Sequence, residues 1–185
     1  MTPVAVAALP ATAWRNGRGR TRELAVSPAD ATLESFDWRV SLAELEPGTC
    51  AFSAYPGVDR VLVPAGHGLR LAGVALAPWV AASIAGEAPV DALLDGGAMS
   101  VFNVMARRGR ARGAAAVHRR SVALAADATS VLWCVRGRAR LERAGDSAGA
   151  LAAGDAAVVP REAGAAAHLH LEDADTLVVA ATLHG

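Results

Sequence analysis

The polar residues best suited to grip a small anion fall in four phrases of the first 108 residues. They are Trp14-Arg15-Asn16-Gly17-Arg18-Gly19-Arg20-Thr21 with Glu23, Phe36-Asp37-Trp38-Arg39-Val40-Ser41-Leu42-Ala43, Phe52-Ser53-Ala54-Tyr55-Pro56-Gly57-Val58-Asp59-Arg60, and Phe102-Asn103-Val104-Met105-Ala106-Arg107-Arg108. Successive side chains of a strand point to opposite faces, so Trp38 and Val40 share one face and Arg39 and Ser41 the other. With the apolar pair toward a core, Arg39 and Ser41 face solvent or the mouth of a barrel. There a guanidinium fork matches a carboxylate, and a hydroxyl or amide such as Ser41 or Asn103 fixes a second ligand atom. Each polar residue also has a structural role open to it: Asn16 as a turn former among glycines, Asp59 with Arg60 as a local ion pair, Ser53 as a turn cap, Arg107 and Arg108 as solvated surface. Trp14 and Trp38 read as core or pocket wall, and Met105 as core. A buried arginine must be matched by a ligand carboxylate, by an internal acid such as Asp59 or Glu23, or by an ion from solvent.

The elements that hold these phrases are short. Extended runs recur between Gly, Pro and Asp punctuation at Asp37–Ala43, Arg60–Pro64, Gly68–Leu71, Ser130–Val135, Ala139–Glu142, Ala156–Val159 and Thr176–Leu183, the rhythm of antiparallel strands in a sandwich or barrel. The apolar start, Val4 to Leu9, reads as a first strand. Ala-rich pieces such as 75–84 and 114–116 lack a sustained helical face, so helix is expected to be minor. An internal repeat is the strongest signal: the segment from Val61 aligns without a gap on that from Val131, matching Val61 with Val131, Leu62 with Leu132, Arg70 with Arg140 and Leu71 with Leu141. Each copy reads as strand, glycine turn, strand, and each is followed by an acidic turn and another strand, at Gly86-Glu87 and at Gly154-Asp155. Two copies imply two stacked barrels. The second copy, with its Gly154-Asp155 turn leading through a buried strand to Pro160, resembles the central strands of a cupin. The expected fold is therefore all-β, a bicupin of two cupin-like antiparallel barrels, with residues 1–108 forming the first and 109–185 the second.

Metal-dependent cupins converge paired histidines, a glutamate and a further histidine inside the barrel. Here the glycine and histidine expected soon after Pro160 are displaced to Gly164 and His168, and neither half carries the paired histidine of the first cupin motif. His168, His170 and Glu172 share a strand face, but Leu169 and Leu171 occupy the other, and leucines belong inside. His67, His118 and His184 are isolated. No metal and no other cofactor is expected.

The four phrases, in this order, resemble those of the HutD/Ves family: W-x-N-G-G-G-x-T, F-x-W-R-x-S-x-A, F-S-x-F-P-G-x-D-R and D-x-N-x-M-x-R-R. The chain departs from them at Arg18, where the pattern has glycine, at Tyr55, where it has phenylalanine, and at Val101, where it has an acid. The resemblance implies a bicupin, an association with histidine utilisation, no established catalysis, and a small anionic ligand of the formylglutamate or urocanate kind. It also implies that the separated phrases come together, so that Asn16, Arg39, Ser41, Arg60 and Asn103 line one carboxylate pocket.

Composition narrows the function classes. Lys plus Arg equals Asp plus Glu at 18 each, with every base an arginine, and no basic run suits phosphate-backbone binding, so nucleic acid is not an expected partner. No stretch reaches the length of a membrane span free of charge, so no membrane partner is expected. Cys50 and Cys134 lie far apart and read as buried thiols of a reduced, cytoplasmic compartment. Three functions stay open: a non-enzymatic, regulatory binder of a carboxylate metabolite, a metal-free isomerase or epimerase needing a histidine paired with an acid in the barrel, and an interaction module that forms a homodimer through its barrel faces.

Overall fold

Glycine and proline punctuation cuts the chain into short extended runs, and the computed structural model, which describes residues 2–143, 146–162 and 166–185, folds them into strands throughout. Apart from one 3-10 turn, Val6–Ala8, the described residues hold no helix. Ala82–Ala85 is a strand, in agreement with the missing helical face there.

Two compact units result, Pro10–Gly113 and Ala114–Gly185, the latter joined by the residues up to Leu9. The first boundary thus differs from the expected 1–108. Strand β1, Val4–Ala5, pairs with Ala156 and Asp155 of the C-terminal unit and adds an edge there. It is shorter than the apolar run suggested, because the 3-10 turn takes over at Val6.

In the unit Pro10–Gly113 the strands are β2 (Ala11–Ala13), β3 (Gly19–Ser27), β4 (Trp38–Leu45), β5 (Gly48–Phe52), β6 (Val58–Pro64), β7 (Leu69–Leu71), β8 (Val74–Ala75), β9 (Ala82–Ala85), β10 (Val90–Leu94) and β11 (Met99–Arg107). They form one sheet in the order β2-β3-β4-β11-β6-β9 and another in the order β5-β10-β7-β8. In the C-terminal unit follow β12 (Arg112–His118), β13 (Val122–Ala123), β14 (Thr129–Arg136), β15 (Arg138–Arg143), β16 (Asp146–Ala152), β17 (Asp155–Val159), β18 (Ala167–Leu171) and β19 (Leu177–His184). Their sheets run β1-β17-β14-β19-β12 and β13-β18-β15-β16.

The repeat is visible in these orders. The run β4-β11-β6-β9 in one unit answers β12-β19-β14-β17 in the other, and β5-β10-β7-β8 answers β13-β18-β15-β16. The segment from Arg60 to Leu71 therefore holds in its unit the place that Ser130 to Leu141 holds in its own. Neither copy is a hairpin, however. β6 and β7 belong to different sheets, as do β14 and β15, so the glycine turn carries the chain from one sheet to the other. Both turns require glycine: Gly68 has φ +93 and a Cβ there would lie 2.6 Å from Asp95 Oδ1, while Gly137 has φ +73 and a Cβ would lie 2.2 Å from Thr176 Oγ1. Each unit is thus a pair of sheets rather than one closed ring of paired strands.

Inward side chains of both sheets meet in a core. In the first unit Leu45, Leu62, Leu69, Leu71, Leu94 and Val101 pack together. In the second, Leu132, Cys134, Leu141, Leu151, Leu169 and Val178 do so. This apolar burial is the main term that fixes the sheets and hence the site.

Candidate functional site

The register of the larger sheet in Pro10–Gly113 decides which polar residues meet. Asn103 on β11 lies between Ser41 on β4 and Leu62 on β6, and Glu23 on β3 lies beyond Ser41. In the next inward row, Met105 lies between Arg39 and Arg60. Alternation turns these residues into the unit's interior, while Val40, Leu42, Phe102 and Val104 occupy the other face and are buried as well. Arg39 consequently faces a recess of the unit rather than its outer surface.

That space is a cavity of about 770 Å³ lined by Asn16, Arg39, Arg60 and Asn103, together with Trp14, Glu23, Phe52, Tyr55 and Met105 among others. Ser41 does not line it. It is fully buried behind Arg39, whose Nη1 donates to its Oγ at 3.5 Å.

The two inward arginines are in different states. Arg39 Nε donates to Glu23 Oε2 at 2.6 Å, so an internal acid matches it. Arg60 is only 7% exposed and meets no carboxylate among the described residues. Its Nη1 reaches the Ser53 carbonyl at 3.4 Å, its Nε has no partner, and its Cζ lies 5.2 Å from the Phe52 ring centre and 5.7 Å from that of Tyr55. Burial pushes the Arg60 guanidinium below its usual range, the Tyr55 phenol opposes that shift, and the like charge of Arg39 adds to it. The local ion pair of Asp59 with Arg60 does not form. Neighbouring residues of a strand face opposite ways, so Asp59 turns outward to Arg108 at 2.8 Å, and Arg108 also binds Glu87 at 2.6 Å.

Asn103 is 6% exposed and its Oδ1 lacks a partner. Asn16 does form a turn, since its Oδ1 accepts the Arg18 amide at 3.0 Å, and it lines the cavity at the same time. Arg18 is compatible with its position because the left-handed residue of that turn is Gly17, at φ +68. Gly19 is required for a different reason: a Cβ there would stand 2.6 Å from Glu44 O and 3.2 Å from the Trp14 ring. Trp14 lies over it, donates from Nε1 to Thr21 Oγ1 at 2.8 Å, and meets Phe52 edge-on at 5.9 Å. Val101, where the resemblance has an acid, is buried on the cavity side.

Arg107 is not solvated surface. Its Nε donates to Phe36 O and its Nη2 to Glu34 O, both at 2.9 Å, and its guanidinium lies 5.1 Å from the Phe36 ring centre. It thereby holds the end of a segment whose residues Ala31, Thr32 and Leu33 line the cavity. Nothing in the local sequence ties Arg107 to Phe36, because they meet only when β11 and β4 pair. Glu23 as the partner of Arg39 was, in contrast, foreseeable as an internal acid.

Elsewhere the histidines sit apart from the cavity. Leu169 is in the core and Leu171 packs against it, as alternation required, leaving His168 and His170 outward with ring centres 6.2 Å apart and His170 Nε2 3.4 Å from Glu142. Among the described residues no three of His, Cys, Asp and Glu converge as a metal site. Gly164 lies outside the described residues. Both cysteines are free; Cys134 is buried and its thiol is pushed up to about 11 by burial and by the nearby charge of Asp155, whereas Cys50 is half-buried rather than buried.

A tandem cupin-like β protein whose N-terminal unit holds a cavity with an unmatched buried arginine is the class that fold and site define. The chain belongs to the HutD family, whose model matches residues 6–179. It is 33% identical over 136 residues to Protein Ves of Citrobacter koseri, covering 70% of each chain. A match to Protein Ves of Cronobacter sakazakii, 40% identical over 111 residues, covers 56% of this chain and spans 59% of that protein. A third relative, 35% identical over 98 residues and half of each chain, is an uncharacterized 21.2 kDa protein in the hutC 3' region of Pseudomonas putida. Among solved structures, a conserved protein of unknown function from Pseudomonas aeruginosa PAO1 superposes with a TM-score of 0.86 at 25% identity, covering 100% of this chain and 98% of that one. HutD from Pseudomonas fluorescens SBW25 has a TM-score of 0.77 at 22% identity, covering 100% and 99%. A cupin 2 conserved barrel domain protein from Leptotrichia buccalis, at 0.59 and 10%, covering 98% and 95%, shares the fold. Among the described residues no helix is long and apolar enough to cross a membrane.

Proposed function

We propose that this protein is a non-enzymatic, cytoplasmic binder of a small carboxylate metabolite of histidine utilisation, of the formylglutamate or urocanate kind, with a regulatory role. The observation that carries this reading is Arg60, a guanidinium 7% exposed with no acid beside it among the described residues. An unmatched buried charge is costly and is kept where an anion arrives to match it. The relative in the hutC 3' region supports the pathway. Binding is favoured over proton transfer because the lining supplies arginines, Asn103 and hydroxyls, with Glu23 already in an ion pair and no histidine.

The site differs from the expected one in emphasis. Arg60 replaces Arg39 as the main anchor, Asn103 adjoins it, Arg39 contributes through its pair with Glu23, and Ser41 supports Arg39 from behind. A thermal-shift panel of urocanate, N-formylglutamate, glutamate and formate should give at least one ligand that raises Tm, since binding only the folded state must stabilise it. Replacing Arg60 by Met should weaken that ligand by roughly tenfold to a hundredfold, the loss of one charge-assisted contact, while the ligand-free Tm stays level or rises as a buried charge is removed. Unchanged affinity in Arg60→Met sinks the assignment.

A further inference from the structure

Arg60 is poorly placed to hold a carboxylate alone. The strong bidentate grip uses two adjacent N–H groups of the fork. Here Nε is enclosed, with neither accessible surface nor partner, and Nη1 is turned toward the Ser53 carbonyl. The guanidinium therefore presents one open corner to the cavity, and the second oxygen of a carboxylate needs a donor from another residue.

Resting on the carboxylate reading above, we infer that Tyr55 is that donor and sets the selectivity of this site for carboxylates over single-point anions. Tyr55 lines the cavity, is half-buried, and its ring centre lies 5.7 Å from the Arg60 Cζ. Its hydroxyl makes no hydrogen bond within the described residues and is not sealed off like the unpartnered Arg60 Nε, so it is open to a ligand. The backbone around it is fixed: Tyr55 N donates to Gly86 O at 2.6 Å, and its carbonyl accepts from Val58 N at 3.0 Å. A phenol O–H can donate to a carboxylate without any change of protonation. The same position is phenylalanine in the phrase that this chain resembles, so ring and hydroxyl are separable: the ring packs against Arg60 in either case, and the hydroxyl is an addition.

The test uses two anions of different shape. Formate carries two oxygens and engages Arg60 and Tyr55 together, whereas chloride takes the Arg60 corner alone. In ¹³C-formate and ³⁵Cl NMR titrations of the full chain, Tyr55→Phe should weaken formate by roughly tenfold, the scale of one hydrogen bond to a charged group, and leave chloride within about twofold. Its ligand-free Tm should match that of the unaltered protein, because the ring remains. Formate affinity unchanged in Tyr55→Phe, or formate and chloride weakened alike, overturns the inference while leaving Arg60 as the anchor. Formate that binds the unaltered protein and Arg60→Met equally overturns the carboxylate reading itself, and this inference with it, as does a failure of formate to bind at all.

Discussion

The two units share one strand plan and differ at one end of one sheet. Through the paired registers, Leu62 corresponds to Leu132, Leu71 to Leu141 and Ala92 to Leu169, all buried. At the other end Arg60 corresponds to Ser130, Asn103 to Ala180 and Met105 to Thr182. In the C-terminal unit the buried polar side chains among the described residues are Ser130 and Thr176. Thr176 is satisfied locally, with Oγ1 donating to Arg138 O at 3.2 Å and accepting from Asp173 N at 3.1 Å. In the N-terminal unit Arg60 Nε and Asn103 Oδ1 are unpaired. Arg143 Nε of the C-terminal unit also lacks a partner, but Glu162 matches the charge of that guanidinium and its Nη2 donates to Pro160 O at 3.0 Å, whereas Arg60 has no acid among the described residues. A repeated fold thus carries a buried charge without an acid in one copy, and at the equivalent position of the other a small hydroxyl.

The most forceful way to break this comparison is to move the charge. Ser130→Arg puts a guanidinium at the position equivalent to Arg60, beside Thr182 and Val159, where no acid pairs with it and Ser130 is 2% exposed. A buried charge without a partner should cost on the order of 3–5 kcal/mol, read as a fall in urea midpoint. A variant of normal stability that gains a second formate site would show that the C-terminal unit is as receptive as the first.

A smaller effect sharpens the contrast between the two inward arginines. Glu23→Gln removes the acid from Arg39 and leaves two unmatched guanidinium groups in the cavity. Carboxylate affinity should rise about fivefold, near 1 kcal/mol, since the Glu23 side chain is 44% exposed and its charge is partly screened. The gain should be larger for succinate than for acetate by calorimetry. A loss of affinity would mean that Glu23 acts by holding Arg39 in place.

Much of the architecture was legible in sequence because its causes are local. The repeat from Val61 and Val131 carried the equivalence of β6-β7 and β14-β15, and the Gly-Asp punctuation marked the strand ends. Two strands beside the site carry no such local signal. β11 is buried on both faces from Val101 to Ala106, so its residues show no alternation of apolar and polar, and β3 carries Arg, Glu and Ala with a bulge at Glu23 to Ala25 that breaks its phase. The five candidate residues were gathered by resemblance, and the structure places four of them on one cavity. What sequence could not give was the division of labour between Arg39 and Arg60. That depends on which acid lies across which strand, and Asp59, adjacent in sequence, faces away from Arg60 for the same reason that strands alternate.

The smallest expected effect concerns the rim that the C-terminal unit lacks. Among the described residues strand β3 has no counterpart in the repeat, and it is tied to β4 by Glu44, which binds Arg22 at 2.9 Å and also Arg20. Burial tends to raise the Glu44 carboxyl, but hydrogen bonds from Arg22 and Arg20 and their charges outweigh it and hold the group below its ordinary value of 4.5. A carboxylate depressed in the folded state contributes stability above its unfolded pKa, and loses it as the pH falls through the folded one. Glu44→Gln should therefore lower stability by about 0.5–1 kcal/mol at pH 7, a value kept small by the exposure of Arg20. The deficit should shrink as pH drops below about 4.5, the ordinary carboxyl range, and vanish once the unaltered protein is also protonated there. Added salt should reduce it at neutral pH, because these charges are near the surface. A Tm difference between the two proteins that stays constant from neutral pH into the acid range would mean that Glu44 stabilises the rim by packing, and that the ion pairs joining β3 to the repeated core contribute nothing measurable.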